Sequence, residues 1–280
     1  MRSRYSINPI PSDTVRSARA MLGQNNFYLT VGDNWGTLMP GFQDQANSKE
    51  DTSQAWLPPA LTLGTLLQFK ERLTDRQAEE ASRRRVDWKY ALHLPMYYPG
   101  LPRPVLCQFR QQVYHNPAWQ QDLQSVLGRF ANLDPFFQYE HPNLTALTLV
   151  DLVCSQSRLE EILLALRCAL EALALAQSHW LRENIQPEWY VRYHLFNATP
   201  DLPRDLPGQI ALSLTIGADI LVLLDAISRS NQPELEALQE IQALRHTWSE
   251  QFSSAQQVGA QRLARCSFCG SLNAYGEKSG

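Results

Sequence analysis

Long apolar runs, a disulfide framework of cysteines and a strong net charge are all missing from this sequence. Its 280 residues carry 25 Lys and Arg against 28 Asp and Glu, a formal net charge of −3. We find no run of about 18 apolar residues that could span a bilayer, and the N-terminus lacks the apolar core of a secretion signal. Five cysteines, an odd number scattered along the chain, do not describe a disulfide framework. We therefore expect a cytoplasmic protein with no membrane partner.

Catalytic patterns that can be recognised from sequence are also scarce. The six histidines are dispersed, and none has a nearby Ser and Asp or Cys in the arrangement of a triad. No internal repeat is present. With 44% hydrophobic residues, the chain can nevertheless bury a sizeable core. These features indicate a globular protein and point to no particular enzyme class.

Positive charge is distributed unevenly along the chain. Residues 1–20 carry four Arg against one Asp, and residues 60–115 carry nine Lys and Arg against five Asp and Glu, so the remainder is strongly acidic. Such asymmetry is typical of a basic docking module attached to an acidic body. A solvated helix face is the alternative explanation.

Apolar spacing predicts helices over most of the chain, and residues 144–150 are the one candidate strand, on β-branched content and weak alternation. We therefore expect an all-α fold: a bundle that contains a helix-turn-helix, then a second helical region, with at most one or two short strands. The helical pattern covers residues 12–22, 60–73, 74–84, 87–94, 104–114, 119–133, 158–181, 187–193, 209–228 and 233–252.

Composition divides the chain into four parts. Residues 1–59 are expected to form an arm, a helix and a polar linker, and residues 60–115 a helix-turn-helix domain. Residues 116–264 are expected to form the second helical region. Residues 265–280 are rich in Gly and Ser and are expected to be loose.

The most specific stretch is LQFKERLTDRQAEEASRRRVDWKYALHL, residues 67–94. Two short helices joined by a tight turn at Arg85 and Val86, after an apolar supporting helix, are what a helix-turn-helix needs. Helical spacing predicts that Arg76, Arg83 and Lys89 are exposed. Packing is expected from Ala78, Ala81, Trp88, Tyr90 and Leu92.

This stretch and PGLPRPVLCQFRQQV, residues 99–113, resemble the InsH-type N-terminal domain of DDE-class insertion-sequence transposases. Members of that family typically read L(S/T)DRQA, then DWKYALGL, then an LCxFRxxL pattern. Residues 10–38 resemble the segment that opens these transposases. Further matches at residues 185–193, 216–227 and 243–248 resemble the helical region that such enzymes insert into their nuclease fold. The resemblance covers nearly the whole chain.

The resemblance implies a protein that binds the inverted repeats of a mobile element, so double-stranded DNA is the expected partner. Guanidinium groups near the turn suit phosphate, and Gln and Arg can make two-point contacts to adenine and guanine. The candidates for phosphate contact are Arg76, Arg83, Arg84, Arg85 and Lys89. The candidates for base edges are Arg103, Gln108, Arg110 and Gln111.

A nuclease of this family needs a carboxylate triad that holds two divalent metal ions. Its first acid lies in a strand-borne TDST-like motif, but Ala146 stands at that position here, within Thr145–Thr148. Asp151 is a candidate for a shifted ligand. No later strands are predicted, and the terminal NAYGEKSG resembles the point at which the family's chain re-enters the nuclease sheet. The resemblance therefore implies a truncated transposase that binds DNA without strand transfer, and Mg²⁺ only if the nuclease were intact.

Several alternatives stay open. Cys266 and Cys269 have the spacing of half a zinc site, but a structural zinc needs four ligands and no second pair is available. The chain could be an active transposase that uses Asp151 and Mg²⁺. It could also be a helical module that pairs with itself or with a full-length transposase and regulates it, or a decayed gene product.

Overall fold

The structure, a computed structural model, describes residues 9–39, 57–193, 202–203 and 205–257. Every regular element in these ranges is a helix, which confirms the predicted all-α fold. The chain divides into two compact units, Met1–Val153 and Cys154–Gly280. This division falls inside a long helix rather than between residues 115 and 116, where the sequence placed a boundary.

The first unit contains eight α-helices and the start of a ninth among its described residues. Between the eighth and the ninth lies a short π-helix, Phe136–Glu140. The eight are α1 Ser12–Met21, α2 Phe27–Asp33, α3 Trp35–Leu38, α4 Leu57–Glu71, α5 Asp75–Arg84, α6 Val86–Ala91, α7 Arg103–His115 and α8 Pro117–Ala131.

Helix α4 forms the centre of the first unit because it is apolar on every face. Residues 59–69 are all buried, and the helix packs against α5, α7 and α8. Helices α1 and α2 pack against α6. The described part of residues 1–59 therefore belongs to the same unit as the predicted helix-turn-helix.

The predicted strand at residues 144–150 is wrong. Helix α9, Ala146–Ala176, begins there, with the Thr145 side-chain oxygen accepting a hydrogen bond from the amide of Thr148 at 3.1 Å. Leu149, Val150 and Val153 are buried at helical spacing, so one face of a helix reaches the core. The β-branched residues that suggested a strand are thus accommodated in a helix by tertiary packing.

The second unit contains the rest of α9 and five further helices in the described residues. They are α10 Ser178–Asn184, α11 Glu188–Arg192, α12 Leu206–Arg229, α13 Pro233–Glu236 and α14 Gln239–Gln257. Helix α12 packs on α13 and α14. A Cβ atom at Gly217 would lie 2.8 Å from Cζ of Phe252, so glycine permits the close approach of α12 and α14.

Helix α12 corrects one expectation from the sequence. By length and composition alone, Pro207–Arg229 could cross a membrane, with a mean hydropathy of 2.1 in its most apolar window. Of that window, 33% is buried in the fold. The sequence therefore does hold one segment of membrane length, although we expected none.

Candidate nucleic-acid interface

Helices α5 and α6 form the predicted pair of short helices, and local chemistry sets their ends. Thr74 accepts a hydrogen bond from the amide of Gln77, whose side chain accepts one from the amide of Thr74 at 2.9 Å. This reciprocal capping box fixes the start of α5. Arg85 is extended, with φ −85° and ψ 126°, and separates the two helices. The connection is thus one residue, with Val86 already helical.

The most recognisable motif residues point inward. Glu71, at the end of α4, accepts hydrogen bonds from Trp88 Nε1 and the Tyr28 hydroxyl, both at 2.6 Å, and it also binds Arg85. Trp88 has no exposed surface. Because the carboxylate receives donors from α2, the α5–α6 connection and α6, it ties these parts together.

Arg85, a candidate for phosphate contact, belongs to this internal network. Its guanidinium forms ion pairs with Glu71 and, at 2.8 Å, with Asp87. Burial alone would lower the pKa of Arg85, but the hydrogen bonds that it donates to Asp87 and Glu71 outweigh that effect and raise the pKa. Arg85 therefore stays charged and joins the end of α4 to α6, and its side chain is 37% exposed.

Lys89 and Arg110 were also predicted to contact DNA, and the structure shows that both are buried. Lys89 is 3% exposed, its Nζ donates to the carbonyl of Met96, and burial lowers its pKa. Arg110 is 1% exposed and pairs with Asp75 at the start of α5. The structure therefore contradicts the expectation that Lys89 is exposed, and it places both side chains inside the fold.

The burial of Arg110 follows from its position on α7. Leu106, Cys107 and Val113 are buried, and Arg110 falls between them at helical spacing, on the face turned toward α4 and α5. Gln111 is partly buried. Of the four predicted base contacts, only Arg103 and Gln108 are therefore exposed.

The structure brings four exposed arginines together, which we call the arginine face: Arg76, Arg83 and Arg84 of α5 and Arg103 at the start of α7. The side chains of Arg83, Arg84 and Arg103 are 50%, 73% and 57% exposed. Arg76 and Arg83 are seven residues apart and so lie on the same side of α5.

Two glutamates lie within the arginine face. Glu80 pairs with Arg83 and Arg84, and Glu79 pairs with Arg103 at 3.4 Å. Four arginines and two glutamates leave a surplus of two positive charges in this group. Sequence reasoning missed the glutamates, although their position three and four residues after Arg76 indicates the same helix side.

Gly100 brings the start of α7 close to α5. Its φ is +107°, a conformation that favours glycine, and a Cβ there would lie 2.7 Å from the carbonyl oxygen of Glu79 and 3.2 Å from Cβ of Arg83. Gln108, by contrast, is separated from Arg103 by five residues, which places the two side chains about 140° apart around the helix axis. Gln108 therefore lies apart from the arginine face.

The candidate metal ligands do not converge in the described part of the chain. Asp151 lies in α9 and accepts a hydrogen bond from the Tyr114 hydroxyl. Among the described residues, no three His, Cys, Asp or Glu side chains are placed to hold a metal ion. Cys266 and Cys269 lie outside those residues. The helix at the TDST-like position therefore contradicts a strand-borne ligand, whether Ala146 or Asp151 is aligned there.

No family model, curated protein or solved structure matches the chain. The resemblance to insertion-sequence transposases therefore rests on the motif residues alone.

Proposed function

We propose that this protein binds double-stranded DNA through the arginine face, as a transposase-related protein that recognises the inverted repeats of a mobile element. The observation that supports the proposal is the exposure of Arg83, Arg84 and Arg103 where α5 meets the start of α7. Phosphate neutralisation is a local effect, so the formal net charge of −3 does not oppose it.

The ion pairs of the arginine face are easily exchanged for phosphate. Glu80 and Glu79 hold their arginines at exposed positions, where an ion pair contributes only about 0–1 kcal/mol. A phosphate can accept two parallel hydrogen bonds from one guanidinium, and its binding releases condensed counterions from DNA. Arg85 and Arg110 differ because their partners are internal, and they support the surface without forming it.

The proposal extends to binding and not to strand transfer. The segment expected to carry the first metal ligand begins a helix, and Asp151 is held by Tyr114. A two-metal mechanism needs several acids that converge on a rigid frame. Mg²⁺-dependent nicking of element-end DNA, lost in Asp151→Ala, would instead support the rival hypothesis of an active enzyme.

Fluorescence anisotropy with labelled duplexes tests the proposal. The duplexes would carry the sequence that flanks the gene, or a shuffled sequence of the same composition, and the full chain would be titrated at several salt concentrations. We expect the affinity to fall with salt, with a log–log slope of about −0.9 for each neutralised phosphate. Arg84→Gln and Arg103→Gln should each weaken binding and reduce the slope by about one.

Arg182→Gln is the matched control, since Arg182 is an exposed arginine of the second unit, on α10. It should leave affinity and slope unchanged. Equal losses of DNA affinity in Arg84→Gln and Arg182→Gln would contradict docking at the arginine face. An affinity that does not change with salt concentration would contradict it as well. Equal affinity for the flanking and shuffled duplexes would contradict the recognition of inverted repeats while leaving phosphate docking intact.

A further inference from the structure

Helix α12 exposes a continuous apolar stripe, which we define as Ala211, Leu214, Ala218 and Leu221. All four residues are exposed, and Leu214 and Leu221 keep 63% and 47% of their surface accessible. Their spacing of three, four and three residues is that of a heptad seam. Ile210 and Val222 extend the exposed apolar surface on either side. Contiguous apolar surface of this kind marks an interaction site more often than it stays bare.

The opposite side of α12 is fixed in the core of the second unit. Ile216, Ile220, Leu223 and Ile227 have at most 1% of their surface exposed. In the middle of the helix, Asp219 accepts hydrogen bonds from the side chains of Arg192 and Tyr193. A bilayer would have to remove this packing and accommodate a charged pair at mid-helix, which is costly. The helix therefore belongs to a folded unit, and only its exposed stripe is available to a partner.

We propose that the stripe binds the same stripe of a second copy of this chain, in an antiparallel pair related by a two-fold axis. In such an interface each surface must complement itself. When the two helices are aligned about residue 216, Leu214 of one copy faces Ala218 of the other, and Leu221 faces Ala211. Every layer of the seam then joins one large and one small side chain, which fills space without overpacking.

Charge supports the same arrangement. Arg229, whose side chain is 79% exposed and pairs with Asp225 on the same helix, would lie within about two residues, roughly 3 Å along the axis, of the level of Asp205 in the other copy. Asp205 is exposed and caps the start of α12 by accepting from the amide of Gly208 at 2.7 Å. The dipoles of the two antiparallel helices would also point in opposite directions, which is favourable. A parallel pair would instead place Asp225 against its own copy, since Asp225 continues the heptad spacing beyond Leu221.

Sedimentation velocity of the full chain across a wide concentration range tests the pairing. We expect a reversible monomer–dimer equilibrium. Leu214→Ala should raise the dissociation constant by about tenfold or more, because each substitution affects two layers of the symmetric seam. The double variant Leu214→Ala with Ala218→Leu should restore dimerisation, since it exchanges the large and small members of the same layer.

Leu175→Ala is the matched control, because Leu175 is 90% exposed on α9 and lies outside the stripe. It should not change the dissociation constant, and circular dichroism should show that every variant is folded. A chain that stays monomeric at all concentrations would overturn the proposal, as would a double variant that pairs no better than Leu214→Ala. Co-sedimentation of the chain with neutral phosphatidylcholine vesicles, lost in Leu214→Ala, would make the occupant a membrane and also overturn it.

Discussion

Arg110 offers the sharpest test of which arginines support the fold and which remain for a ligand. The side chain is 2% exposed and pairs with Asp75, whose side chain is 13% exposed. Arg110→Met keeps most of the side-chain length and removes the charge. The change leaves a largely buried carboxylate without its main counter-charge, and it leaves the exposed surface of α7 as it was.

The expected loss of stability follows from the surroundings of Asp75. Removing one partner of a buried ion pair typically costs about 3–5 kcal/mol. Asp75 keeps a hydrogen bond from Gln68 at 2.8 Å and lies in the first turn of α5, where the helix dipole favours negative charge. We therefore expect the lower end of that range, about 3 kcal/mol. For a unit of this size, the midpoint of thermal unfolding should fall by roughly 10 °C.

Thermal and urea unfolding, followed by circular dichroism, would measure this loss, and DNA anisotropy would be recorded below the unfolding transition. Arg83→Met is the control, because Arg83 is half exposed and pairs with Glu80 on the surface. It should change stability by less than about 0.5 kcal/mol and weaken DNA binding. If Arg110→Met left stability unchanged and abolished DNA binding, the assignment of Arg110 to the interior would be refuted.

Three further substitutions test single features of the first unit. Thr74→Ala removes the capping box of α5 and should cost about 1 kcal/mol in urea unfolding; no loss would mean that the cap is not needed. Gly100→Ala meets both a positive φ and the carbonyl of Glu79, so it should cost about 1–3 kcal/mol, and a neutral result would contradict the close approach of α5 and α7. Burial and the hydrogen bond to Glu71 raise the pKa of Tyr28, so its contribution to stability is complete below about pH 10 and is lost as the pH rises further. Tyr28→Phe should therefore reduce the slope of the unfolding free energy against pH, above about pH 10, by the equivalent of one proton. An unchanged slope would contradict this role of Tyr28.

Much of the helical framework could be predicted because its signals are local. The predicted limits of the first helix and of α5 agree with the structure within one residue, since caps and apolar spacing are visible in the sequence. The start of α9 could not be predicted in this way. Residues 144–150 combine Thr, Leu and Val, which suits a strand, and only tertiary burial of Leu149 and Val150 shows that a helix forms.

The candidate interface was harder to predict because the partner of a charge is a tertiary property. Asp75 and Arg110 are thirty-five residues apart, and nothing in the sequence joins them. One signal was available, since Arg110 falls on the apolar side of α7 set by Leu106 and Val113. An arginine in that position is placed to face the core, and a charged residue survives there only with a buried counter-charge. Arg84 and Arg103 lack such a pattern and are exposed.

Several residues that make the motif recognisable therefore stabilise the fold and make their contacts within the protein. Gln77 caps α5, Trp88 donates to Glu71, and Tyr90 donates to Asp33 at 2.6 Å, all within the protein. Such contacts constrain residue identity because a buried polar group that loses its partner is costly. Arg84 and Arg103 make only surface ion pairs and are not constrained in this way. A chain with this motif is thus expected to keep the helix arrangement even where its exposed residues differ. If the chain binds DNA as proposed, exchanging Arg84 and Arg103 should lower DNA affinity without loss of stability, whereas exchanging Gln77 or Trp88 should lower stability.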